Sequence, residues 1–280
     1  MSGIYCILAL SLNLVVGYTG LISLGHAAFF CIGAYISALL CLTFGISPWI
    51  GLLAGAYGAA FFGFVIGMPS LRLKGDYLAL ATFGAGVIVF QVAKNWVSLT
   101  RGPMGLPGIP SFPILGFSFN SAWSFLLIII IFVLFTIYIL NRIVNKAYGR
   151  ALRSIREDEI ASQAMGKNIA KYKLQVFVIG AFFAGIAGSL YAHYISFIDP
   201  SSFTVMESVT ILLMVIFGGM SSIKGSVAGA TILVLFPEVL RFIGMPSAIA
   251  APARQMIYGL LLIILMIWRP QGLFGKYRFR

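Results

Sequence analysis

Charge is what this chain has least of. Only 9% of its 280 residues are Asp, Glu, Lys or Arg, against about 25% in a soluble domain. So little charge cannot solvate the surface that 60% hydrophobic residues would present to water. That excludes a soluble fold and directs the chain into a bilayer. Cysteine is nearly missing too. Cys6, Cys31 and Cys41 are odd in number, lie in apolar stretches and show no metal-ligand spacing, so they read as small core hydrophobes. No G-x-x-x-x-G-K-[ST] phosphate loop and no catalytic constellation occurs, which excludes ATP hydrolysis by the chain itself. No basic lead precedes the first apolar run, so a cleaved signal peptide is not expected.

What the chain has in plenty is apolar length. Mean hydropathy is +1.02. Continuous apolar runs lie at about 4–16, 23–44, 48–68, 76–97, 121–140, 174–196, 203–219, 226–243 and 252–268, between Gly, Pro and charged punctuation. They do not alternate as the ~10-residue segments of a membrane barrel do. The expected fold is therefore all-α: one transmembrane domain over 1–280, a polytopic helical bundle of about 8–9 spans, some short or broken. The first run falls below the roughly 17–25 residues that cross a bilayer. A re-entrant or broken helix, or a late start of the chain, is expected there.

Basic residues outnumber acidic ones, 19 to 7, for a net charge of +12. Many fall in 141–173 (Arg142, Lys146, Arg150, Arg153, Arg156, Lys167, Lys171, Lys173), and the tail adds Arg269, Lys276, Arg278 and Arg280. An even number of spans separates the two clusters, so the positive-inside rule places both in the cytoplasm, with Arg72 and Lys74. The same rule accounts for the net charge without a nucleic-acid partner. The Gly- and Pro-rich segment 99–120 then falls outside and is expected to fold over the outer mouth.

Glycine is frequent, at 31 residues. Gly51 with Gly55, Ala54 with Gly58, and Ala181, Gly185 and Ser189 have the small-xxx-small spacing of closely packed membrane helices. Two Gly-rich breaks, "GYTGLISLGHAAFF" and "FGGMSSIKGSVAGA", interrupt apolar runs in similar fashion. In many transporters the binding site lies where corresponding helices break. Candidate pathway-lining residues are Asn13, Ser23, His26, Thr82, Glu207, Ser221 and Ser222, which offer hydrogen bonds or charge within spans. The alternative for Ser and Thr is helix-to-helix glue, and for His26 a bond inside the bundle. His193, near a span end, is expected at the interface. Glu238 and Arg241 are three apart and are expected to neutralise each other beside Pro237.

The scarce carboxylates gather in one stretch, "RSIREDEIASQAMG", residues 153–166. Ser154 and Glu157 fit a capping box. Glu157, Asp158 and Glu159 fall in the first turn or so, at the positive end of the helix dipole. Gly166 suits a left-handed cap, followed by Lys167. The pattern predicts a short helix from about Ile155 to Met165 in the basic loop. A mixed-charge helix with small residues suits docking into another protein better than lying on lipid. No pair of carboxylates lies deep in the spans, so proton coupling lacks a carrier and energy is expected from outside the chain.

Five stretches carry a resemblance: "ALRSIREDEIASQAMGKNIAKYKLQVFVIGAFFAGIAGSLYAHY", "LALSLNLVVGYTGLISLGHAAFFCIGAYISALL", "LRLKGDYLALATFG", "SVTILLMVIFGGMSSIKGSVAGA" and "YGLLLIILMIWRPQGL". Over nearly its whole length the chain is similar to the permease subunit of bacterial branched-chain amino-acid ABC importers, the LivM type. Members of that type usually carry one or more spans before the stretch matching "LALSLNLVVGYTG". The resemblance implies that the loop around 150–170 is a coupling element whose short helix docks on an ATPase. Its E-x-A…G pattern is met by Glu159, Ala161 and Gly166, with Arg153, Glu157 and Asp158 on the same element. It implies a multi-pass protein of the bacterial inner membrane and a second homologous permease as partner. It also implies two ATP-binding cassette ATPases that use ATP and Mg, and a periplasmic or lipid-anchored substrate-binding protein. No cofactor is expected on this chain. The implied substrates are branched-chain amino acids, with urea or short amides as alternative. A stand-alone secondary transporter, with Glu207 as its carboxylate, and a membrane scaffold are the readings from other classes.

Overall fold

In lipid a chain must satisfy its backbone groups internally, and the helix does so within one segment. The structure is a computed structural model and describes residues 1–71, 73, 75–114, 117–118, 122–242, 259–260 and 271–275. Its helices are α1 Ser2–Thr19, α2 His26–Phe44, α3 Pro48–Ser70, α4 Asp76–Asn95, α5 Val97–Thr100, α6 Ala122–Asn145, α7 Ala147–Glu157, α8 Glu159–Ala164, α9 Ile169–Ile195, α10 Val205–Gly218 and α11 Ile223–Phe242. The expected all-α bundle is what forms. Among the described residues, six helices (α1–α4, α6 and α9) are long and apolar enough to cross a membrane, and α10 and α11 add shorter apolar stretches. The expected last span, 252–268, lies outside the described residues apart from Gly259 and Leu260, and so do Arg72, Lys74 and the tail's Arg269, Lys276, Arg278 and Arg280, as well as the side chains of Glu238 and Arg241.

The first span is longer than its sequence suggests. Gly17 does not end it: α1 runs for 18 residues, about 27 Å at ~1.5 Å per residue. It stops at Gly20, whose φ of 72° is left-handed and whose N–H closes on the Val16 carbonyl at 3.0 Å. Gly17 serves close approach instead, since a Cβ there would stand 2.6 Å from the Ser221 nitrogen. Pro48 opens α3 at a position that needs no N–H.

Helix α9, with 27 residues, is the axis against which α1, α2 and α3 pack. The small residues of the sequence meet here. A Cβ at Gly185 would lie 2.6 Å from the Ala59 Cβ and 2.8 Å from the Gly55 carbonyl, and Gly33 presses on the Gly185 backbone. Ser189 donates to the Gly33 and Gly185 carbonyls, each at 3.1 Å. Dispersion between closely approached backbones drives such packing, because lipid leaves no hydrophobic gain between helices. Gly185→Val is therefore expected to overpack the α3–α9 seam by about 1–3 kcal/mol. Lower thermal stability of the purified protein would show it.

At one end of the bundle the segment after α5 folds across the helix ends. Leu106–Pro107 pairs antiparallel with Phe197–Ile198, and Pro113–Ile114 with Phe117–Ser118. Trp49 Nε1 donates to the Pro113 carbonyl at 2.9 Å. Buried Phe112 lies between the rings of Trp49 and His193, with centroids 4.8 and 4.6 Å away. His193, near the end of α9, is buried within the protein. Its Nδ1 lies 2.6 Å from the Pro110 carbonyl, which only accepts, so that nitrogen carries the proton. Nε2 then accepts from Ser37 at 2.8 Å. The histidine clips the loop to α2 and α9.

Candidate functional site

The charged stretch forms two helices rather than one. Residues from Ala147 onward are already helical, so Ser154 lies inside α7 and cannot cap it. The chain turns extended at Asp158, with φ −153° and ψ 111°, and the Asp158 carboxylate accepts from the Ala161 N–H at 3.0 Å. Asp158 is thus the N-cap of α8. Glu157 ends α7 and pairs with Arg156 at 2.9 Å. Ser154 takes another role: it accepts from Lys167 Nζ at 2.9 Å, which leaves its own proton for buried Ser162 at 2.7 Å. These bonds fold α8 back against α7.

Glu159, expected as part of a docking face, is tied inward to Lys173 of α9 at 2.5 Å. Lys173 is buried. Gly166 adopts φ 80°, as expected for a left-handed terminus, and nothing lies within 4 Å of where its Cβ would be. Ile160, Ala161, Ala164 and Met165 lie outward on one face, with Ile160 80% and Met165 64% exposed, and exposed Gln163 flanks them. A short helix thus presents an apolar, small-residue face on a base braced at three points. Arg153 is partly buried in α7.

The two Gly-rich breaks meet each other. The turn between α10 and α11 is held by the end of α1: Asn13 Oδ1 accepts from Ser221 N–H at 3.0 Å, and Asn13 Nδ2 donates to the Ser222 carbonyl at 3.1 Å. Tyr18 donates to the Ser221 carbonyl at 2.7 Å, and Ser221 Oγ to the Gly17 carbonyl at 2.6 Å. Residues 271–275 close the same region, for Leu273 and Phe274 N–H bond the Phe217 and Gly218 carbonyls at 3.0 and 2.9 Å. Arg156 reaches in from α7. Its Nη1 donates to the Gly17 carbonyl at 2.6 Å and to Ser221 Oγ. Sequence reasoning grouped Arg156 and Lys173 with the loop's other basic residues and missed Tyr18.

The remaining pathway candidates lie along the stretch between α1 and α2 and beside α10. Thr82 Oγ1 accepts from Leu24 N–H at 3.0 Å and donates to the Ala79 carbonyl at 3.0 Å. Ser23 is buried, with no hydrogen bond to its hydroxyl among the described residues. His26 is buried, its Nε2 2.7 Å from Ser11 Oγ. Ser11 itself donates to Leu8 at 2.8 Å, so the imidazole donates and braces α1 against α2. Ser208, not anticipated, accepts from Ala27 N–H at 2.8 Å. Glu207 lies in the first turn of α10, where the helix dipole favours a carboxylate. Ser221 follows the other end of that 14-residue helix, about 20 Å away at ~1.5 Å per residue. The polar candidates therefore divide, with Asn13, Ser221 and Ser222 brought together and Glu207 at the other end of α10, where Ser208 meets the start of α2.

Comparison with known proteins adds identity to this geometry. The family model described as "Branched-chain amino acid transport system / permease component" matches residues 1–266. The high-affinity branched-chain amino acid transport system permease protein LivM of Salmonella typhimurium is 39% identical, over 99% of this chain and 69% of its own length. The high-affinity branched-chain amino acid transport system permease protein LivH of Escherichia coli is 26% identical over 97% of this chain and 91% of its own. The guanosine ABC transporter permease protein NupQ of Bacillus subtilis is 24% identical over 81% and 75%. No solved structure matches the chain.

Proposed function

Because the chain belongs to the family of branched-chain amino acid transport system permease components, we propose that it passes leucine, isoleucine or valine through the membrane as one of two homologous permease subunits of an ATP-driven importer. Its likeness to both LivM and LivH supports the pairing. Two ATPases, which use ATP and Mg, dock on α8 from the cytoplasm. A periplasmic or lipid-anchored binding protein delivers substrate at the opposite end, where the 106–113 segment folds across. The basic residues of 141–173 support that orientation. The substrate class follows the relative at 39% identity rather than the guanosine-named one at 24%.

The observation that carries this reading is the exposed apolar face of Ile160, Ala161, Ala164 and Met165 on a braced helix. Water gains nothing from so rigid a display, while a cleft in a motor subunit does. Purification of the tagged chain from mild detergent is expected to recover an ATPase pair and a second permease. Burying an isoleucine contributes about 1.5–3 kcal/mol, so Ile160→Glu is expected to lower ATPase recovery by roughly tenfold or more and to keep the second permease. Equal ATPase recovery with Ile160→Glu would refute docking at α8. Leucine uptake that excess urea or guanosine suppresses would refute the substrate assignment.

A further inference from the structure

Arg156, like Lys173, is a cation of the loop that turns inward. It starts on α7, beside the docking helix, yet its side chain is only 9% exposed. Its guanidinium lies in the junction where α1 ends and α10 gives way to α11. One nitrogen, Nη1, serves the Gly17 carbonyl and Ser221 Oγ together, while Nη2 holds Glu157 at 2.9 Å. Its Cγ lies 3.0 Å from where a Cβ on Gly20 would be, so the left-handed terminus of α1 leaves room for it. The Gly17 carbonyl belongs to the last turn of α1, the negative end of that helix, which favours a cation. Ser221 is itself fixed, at φ 60°, by Asn13, Tyr18 and Gly17. The end of α1 and the turn at 219–222 are thus one body, and Arg156 is a strut from α7 into it.

We propose that Arg156 is a positioning residue that transmits displacement of the α7–α8 element to the paired breaks in α1–α2 and α10–α11, and so sets how much substrate moves per ATP hydrolysed. The inference rests on the reading that ATPases dock on α8. It neither touches the docking face nor asks Arg156 to bind substrate. The planar fork engages two acceptors and a carboxylate at fixed angles, which a flexible ammonium does not reproduce.

The test uses the complete importer in liposomes, with its ATPases, second permease and binding protein, fed radiolabelled leucine and ATP. Arg156→Met is expected to keep the ATPases bound and hydrolysing, and to lower leucine moved per ATP by roughly tenfold, the scale of a typical two-site coupling. Arg156→Lys is expected to recover only part of it, because it keeps the charge and loses the fork. Should Arg156→Met fail to assemble, Ser221→Ala decides, as it removes one acceptor and leaves α7 untouched. It is expected to lower the ratio severalfold. A wild-type ratio in Arg156→Met, or in Ser221→Ala where that variant decides, overturns the proposal while the importer reading stands. Wild-type complexes that hydrolyse ATP without moving leucine overturn both.

Discussion

Reversing the charge at Glu159 is expected to reduce uptake by about a hundredfold or more. The carboxylate pairs at 2.5 Å with Lys173, which is 5% exposed at the start of α9. Breaking a buried pair by removing one partner costs about 3–5 kcal/mol, because the other charge stays desolvated and unpaired. Glu159 is partly open to water, which favours the lower figure, and a second ammonium beside Lys173 adds repulsion. Two orders of magnitude correspond to about 2.8 kcal/mol. Glu159→Lys should therefore detach α8 from α9. The swapped pair, Glu159→Lys with Lys173→Glu, is expected to recover much of the loss. Leucine uptake normalised to membrane abundance measures both. Near-normal uptake by Glu159→Lys alone would show that α8 does not depend on this anchor.

Asn13→Leu is expected to be damaging by a different route. Asn13 is 1% exposed and holds both the Ser221 N–H and the Ser222 carbonyl. Leucine fills similar space and offers neither bond. The Ser221 N–H then loses its acceptor, which costs about 1–3 kcal/mol, while the Ser222 carbonyl keeps its bond from the Ser226 N–H at 3.0 Å. The expected outcome is a lower yield of folded protein from detergent extracts, read as the monodisperse fraction on size exclusion. Asn13→Asp keeps the acceptor for Ser221 but repels the Ser222 carbonyl, and should fall between. Asn95→Leu, at an exposed site bonded only within its own helix, serves as the control and should behave as wild type.

The spans were legible because lipid imposes length and apolarity directly on sequence, as α2, α3 and α9 show. The end of α1 was not. Glycine marks helix stops and close approaches alike, and only the neighbouring turn tells Gly17 from Gly20. At the charged stretch the cap chemistry was right in kind and wrong in place. Ser154 and Asp158 are both good caps, and the choice fell to Asp158 because α7 packs Leu152 and Ile155 inward and keeps Ser154 helical. The role of Glu159 was hidden for a similar reason, since its partner is 14 residues away on another helix. Arg156 left a fainter trace. It continues the stripe of Gly149 and Leu152 at i+3 and i+4 spacing, the buried side of an otherwise charged helix. The likeness of the two Gly-rich breaks was readable, whereas their mutual packing was a tertiary fact.

Helix α9 has a mechanical consequence. It starts beside Lys173, anchored to α8, and ends beyond His193, clipped to the segment that crosses the far end of the bundle. Its 27 residues make an unbroken rod of about 40 Å at ~1.5 Å per residue. A rod cannot shorten, so any thrust at its base arrives at Pro110 as displacement. The two ends of the bundle are then geared to each other through a single piece of backbone, and with ATPases docked on α8 as proposed, amide exchange around 106–113 is expected to follow their nucleotide cycle.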